Sequence, residues 1–111
     1  MANHVFTIPT RFSVLIIRLH QINQLNYPAT LEATWQNSLQ AGDQILLIEE
    51  GFLRLIQHTD TMQTLAKEKQ AKLYYLQSDA IAYGLSPQLG TALSEEEWVD
   101  LTFAAEANIS W

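Results

Sequence analysis

Three carboxylates stand where an open α/β sheet would gather its chemistry. Glu49 and Glu50 close the apolar run Ile45-Leu46-Leu47-Ile48, and Asp79 follows a second strand-like segment ending at Leu76. Folds of this class bind ligands outside the carboxyl ends of their parallel strands. Three carboxylates gathered there could hold Mg²⁺, as in a phospho-acceptor receiver domain. The competing reading is that they cap helices and solvate loops. It is the stronger one, because adjacent side chains on a strand point to opposite faces. His20 could serve as a functional imidazole, but it lies in or beside a strand with no nucleophile near it in sequence. A structural, hydrogen-bonded histidine is the expectation. Ser78 and Ser94 read as helix starts rather than nucleophiles. The four glycines, Gly42, Gly51, Gly84 and Gly90, are too scattered to build a phosphate-binding loop.

The chain contains no cysteine. Disulfides and thiolate chemistry are therefore closed to it. His4, His20 and His58 are too dispersed for a zinc motif, so no metal or other cofactor is expected. The missing cysteine fits a reducing compartment. A net charge of −6 argues against tight nucleic-acid binding, which needs clustered Lys and Arg; here only Lys67, Lys69 and Lys72 lie together. A protein partner is the better expectation. With 111 residues and 48% apolar content, the chain reads as one globular domain. It has no apolar run of about 18 residues to span a membrane and no secretory signal pattern.

The elements that must position these residues alternate. Val14 to Ile22 is rich in β-branched and apolar side chains and predicts a first strand, starting late in that span. Pro28 to Gln40 predicts a helix with Asn26 as a cap, Trp35 on its core face and Gly42 at its C-terminal end. The unalternating run within Gln44 to Glu49 suits a strand covered on both faces, the habit of parallel sheets. Gly51 to Gln70 predicts a helix broken near His58-Thr59-Asp60, with Phe52, Leu55, Ile56, Met62 and Leu65 buried. Lys72 to Leu76 is a third strand, Ser78 to Tyr83 a helix ended by Gly84, and Thr91 to Leu93 a short edge strand.

Ser94-Glu95-Glu96-Glu97 is a capping box that opens a last helix, with Trp98, Leu101, Thr102 and Ala105 facing inward. The order predicts a single three-layer α/β/α domain with a mostly parallel sheet of four or five strands. The terminal aromatic is unusual, since free chain ends are generally polar and frayed. Ile109 and Trp111 therefore predict a docked tail, against the domain's own surface or a partner's, and a subunit interface is the expectation carried forward.

One further pattern joins these pieces. Leu19-His20-x-Ile22-Asn23 is followed by Gly42-Asp43-x-Ile45-Leu46-Leu47-Ile48-Glu49-Glu50-Gly51. Next comes Leu73-Tyr74-Tyr75-Leu76-x-x-Asp79-x-x-Ala82-x-Gly84-Leu85, and then Trp98-Val99-Asp100-Leu101-Thr102 with the final Trp111. This succession, over residues 19–111, resembles the TusB/DsrH family. Residues 1–18 fall outside it and read as an extension or a lead-in to the first strand. The resemblance implies a DsrEFH-like fold in a cytoplasmic, three-subunit sulfur-relay complex, a heterohexamer built as a dimer of heterotrimers with TusC-like and TusD-like sister subunits. In TusB-type members the relay supports 2-thiouridine synthesis at the tRNA wobble position; DsrH-type members serve sulfur oxidation. Some of the latter carry a cysteine on the first helix, at a position near Thr34-Trp35 here. A persulfide carrier needs a thiolate, and neither Met1 nor Met62 can replace it. The expected role is thus noncatalytic, with the reactive cysteine on a TusD-like subunit. A receiver-like or ligand-binding module using Glu49, Glu50 and Asp79 is the alternative.

Overall fold

The computed structural model describes residues 17–111. The expectations for Met1 to Arg11, and for a strand reaching back to Val14, lie outside the described residues. Five strands form one sheet: β1 (Arg18–Ile22), β2 (Gln44–Leu47), β3 (Lys72–Leu76), β4 (Thr91–Leu93) and β5 (Ala107–Ser110). Their spatial order is β4-β3-β2-β1-β5, and every neighbouring pair is parallel. The helices are α1 (Ala29–Asn37), α2 (Arg54–Gln57), α3 (Thr59–Lys69), α4 (Gln77–Tyr83) and α5 (Glu95–Ala104). A 3-10 turn, Glu49–Leu53, leads into α2.

The apolar run behaves as a doubly covered strand must. Ile45 and Leu47 pack with Ile22, Trp35, Phe52, Leu55, Met62 and Leu73 on one face, while Leu46 packs with Leu19, Leu76 and Leu93 on the other. Ile45, Leu46 and Leu47 have no accessible surface. Each such side chain contributes roughly 1.5–3 kcal/mol of burial free energy. The first face is covered by α1, α2 and α3. On the second, α5 lays Trp98, Leu101 and Ala105 over the smaller cluster. The sheet is thus three-layered, as the element order predicts.

Local signals set several boundaries. Both bonds of the capping box are present: Glu97 N–H donates to Ser94 Oγ (3.1 Å), and Ser94 N–H to Glu97 Oε1 (2.9 Å). The break expected near His58 separates α2 from α3. Gly84 ends α4 in the left-handed conformation.

Four expectations are corrected. Asn26 does not cap α1; Pro28 holds the cap position without a side-chain bond, and the Tyr27 amide instead donates to Glu32 Oε1 (3.4 Å). Gly42 is not the helix C-cap, because α1 ends at Asn37; its positive φ serves the turn into β2, where its amide bonds Gln70 O (2.9 Å). Ile56 is exposed rather than buried, since the chain between Leu55 and Thr59 turns away from the sheet. The inward stripe of α5 is placed as expected, yet Trp98, Leu101, Thr102 and Ala105 are only half-buried.

Gly51 is fixed by space rather than by its own φ. A Cβ there would run into the carbonyl of Ile22, which accepts the Ile48 amide at 3.0 Å. Gly51→Ala should therefore cost about 2–3 kcal/mol, the upper range for overpacking a tight site. The midpoint of urea unfolding measures it, with Gly84→Ala as a comparison where nothing lies near the added methyl.

Candidate functional site

At the carboxyl ends of the strands, the structure brings Glu49 and Asp79 together but not as ligands. Asp79 Oδ2 accepts the backbone N–H of Glu49 at 2.9 Å. Glu49 itself takes the left-handed conformation (φ 52°), which costs a non-glycine residue roughly 1 kcal/mol or more. Asp79 thus pins the strained turn that leaves β2. Glu50 is exposed, and with Glu49 it borders a shallow cleft walled by Asn23, Gln24, Leu25 and Asn26. Among the described residues, no three His, Asp or Glu side chains are arranged to hold a metal ion. The three-carboxylate reading thus has one of its members committed to a backbone amide.

The second group is built on β1, where His20 is fully buried. Its Nε2 lies 2.8 Å from Asp43 Oδ2, and its Nδ1 accepts a hydrogen bond from Trp111 Nε1 at 3.0 Å. Indole N–H is only a donor, so Nδ1 is the acceptor and Nε2 carries the hydrogen that faces Asp43. Asp43 is itself held: its Oδ2 accepts the Gln40 amide (3.0 Å), and its Oδ1 lies 3.6 Å from Arg18 Nε. The Trp111 and His20 rings lie within 5° of parallel with centroids 6.1 Å apart, the side-by-side arrangement that a bond in the ring plane needs.

The chain end is therefore a strand and not a loose tail. Ile109 registers with His20 across β1 and β5, and Trp111 N–H donates to Gln21 O (3.1 Å). Trp111 packs against the larger core cluster, while Ile109 remains half-buried on the edge strand. This arrangement can position an edge, but it offers no nucleophile.

A third group has no counterpart in the sequence reading. Arg54 is buried and forms a forked pair with Glu32: Nη1 to Oε2 at 2.7 Å and Nη2 to Oε1 at 2.9 Å. Its Nε donates to Gln24 O (2.8 Å), and its guanidinium lies over the rings of Tyr27 and Trp35. Glu32 also accepts from Trp35 Nε1 and Gln36 Nε2. The available signal was a lone arginine within Phe52-Leu53-Arg54-Leu55-Ile56, an otherwise apolar stretch.

The model of the family described as "DsrH like protein" matches residues 28–108. The chain belongs to that family. The match runs from the start of α1 into β5, so it takes in Asp43, Glu32 and Arg54 but stops before Trp111. No curated protein matches the chain. Among solved structures, the solution NMR structure of protein Tm0979 from Thermotoga maritima superposes with a TM-score of 0.55 at 24% identity. The alignment covers 80% of this chain and 94% of that one. That likeness concerns the fold. It places this DsrH-like chain's α/β architecture among experimentally known ones. No helix among the described residues is long and apolar enough to cross a membrane.

Proposed function

We propose that this chain is a noncatalytic, structural subunit of a cytoplasmic sulfur-relay complex, assembled with TusC-like and TusD-like sister subunits and supporting 2-thiolation of the tRNA wobble uridine. Membership of the DsrH-like family supports the sulfur-relay reading. The observation that carries the noncatalytic role is the absence of any cysteine from the sequence. Persulfide transfer needs a thiolate to attack the donor sulfur and later release it. Where a first-helix thiol would stand, Thr34 bonds Thr30 O at 2.8 Å and Trp35 is fully buried. A sulfur-oxidation role of the DsrH type loses the feature that would favour it.

Incubated with a persulfide donor, the chain should gain no sulfur mass, while a TusD-like subunit in the same tube should gain it. In a strain lacking this chain, 2-thiouridine should disappear from tRNA hydrolysates. A stable sulfur adduct on the chain overturns the noncatalytic role; intact thiouridine with impaired sulfur oxidation assigns the other pathway.

A further inference from the structure

The net charge of this chain belongs to its last third. Residues 73–111 carry Asp79, Glu95, Glu96, Glu97, Asp100 and Glu106 with no Lys or Arg, whereas residues 1–72 hold the other six carboxylates and all six basic side chains. The first part is neutral and the second carries the whole −6. Five of those six carboxylates lie on α5 or immediately beyond it.

Helix α5 also has two apolar stripes where one would suffice. Trp98, Leu101 and Ala105 face the sheet. Glu96, Val99, Asp100 and Phe103 repeat the i, i+3, i+4, i+7 spacing on the opposite side. Val99 is 49% exposed, and Phe103 is 86% exposed, the most of any large apolar side chain among the described residues. The helix dipole and the capping box account for carboxylates in the first turn. They do not account for Asp100 or Glu106, which lie toward the end where negative charge is unfavourable. Nor does a merely solvated helix face call for a phenylalanine in water.

We propose that the outer face of α5 is a docking surface for a protein that presents a basic rim around an apolar socket for Phe103. The charge selects this occupant. A second copy would set carboxylates against carboxylates, and nucleic acid or an anionic membrane would be repelled by the same field. An aromatic anchor ringed by charges is also the form that binding hot spots take. Equating this partner with a sister subunit rests on the sulfur-relay reading; the surface itself does not.

The test titrates the full chain and two variants onto co-purified TusC-like and TusD-like subunits at several salt concentrations. Phe103→Ser should bind at least about tenfold more weakly while keeping the melting temperature of the wild type. The double variant Glu96→Lys, Asp100→Lys should associate more slowly and lose most of the salt dependence. Wild-type affinity in both variants overturns the proposal. If even the wild type fails to bind these subunits, the sulfur-relay reading fails, and the surface is then read with a synthetic amphipathic Lys/Leu helix by NMR. Saturable shifts confined to α5 and lost in Phe103→Ser support it; no binding, or shifts spread over the chain, overturn it. A dimer of the isolated chain that Phe103→Ser dissolves also overturns it, because the occupant is then a second copy.

Discussion

Glu32→Ala is expected to lower the stability of the isolated chain by about 3–4 kcal/mol, because it leaves the Arg54 guanidinium buried with its main partner gone. The Arg54 side chain is 4% exposed and cannot recover water without opening the contact between α1 and α2. The value sits at the lower end for a broken buried pair, since the Glu32 side chain is itself 26% exposed and water reaches part of the site. Replacing both charges, Glu32→Gln with Arg54→Met, should restore much of the loss, because no uncompensated ion then remains. Chemical denaturation of the single and double variants measures this directly.

The same pair makes stability depend on acid. Burial works to raise the pKa of Glu32, but the hydrogen bonds and charge of Arg54, with the Gln36 and Trp35 donors, outweigh it and hold it at about 2 instead of 4.5. A depressed folded-state value means the stabilisation is complete above about 4.5 and is lost as pH falls towards about 2. The stability gap between wild type and Glu32→Gln should therefore narrow over that window. A gap that stays constant from neutral pH down to pH 2 would show that the pair contributes nothing through its charge.

Legibility followed the range of the interaction. The capping box, the covered strand at Ile45 to Ile48 and the break at His58 are decided within a few residues, and each is present in the structure. The forked pair of Glu32 and Arg54 joins residues 22 apart in sequence, so no periodicity announces it. His20 could be read as a hydrogen-bonded structural histidine, but its partners could not, being 23 and 91 positions away. Strand β5 was hidden for the same reason. Ala107-Asn108-Ile109-Ser110 is short and poor in β-branched residues, and it becomes a strand because β1 supplies the pairing. The carboxylates misled in the opposite sense: Glu49, Glu50 and Asp79 do flank the strand ends, but backbone geometry claims Asp79 for the turn.

Deleting Ile109 to Trp111 should destabilise the isolated chain by about 4 kcal/mol or more, comparable with losing a large aromatic from a core. Three losses combine. The indole leaves the larger core cluster, Gln21 O loses the Trp111 amide, and the buried Nδ1 of His20 is left without a donor. Trp111→Phe separates these terms, since it keeps an aromatic body and removes only the N–H; about 1–2 kcal/mol should go, the cost of an orphaned buried acceptor. This changes how an interface at Ile109 and Trp111 must be tested. A truncated chain that fails to assemble with sister subunits says little, because the sheet edge that would meet them has already been lost. Trp111→Phe retains β5, and so does Ile109→Ser on the half-buried edge. If the tail contributes to assembly, Ile109→Ser should weaken binding by more than its effect on melting temperature accounts for. Should both variants bind like wild type while Trp111→Phe melts lower, Trp111 serves to close the domain's own sheet over His20.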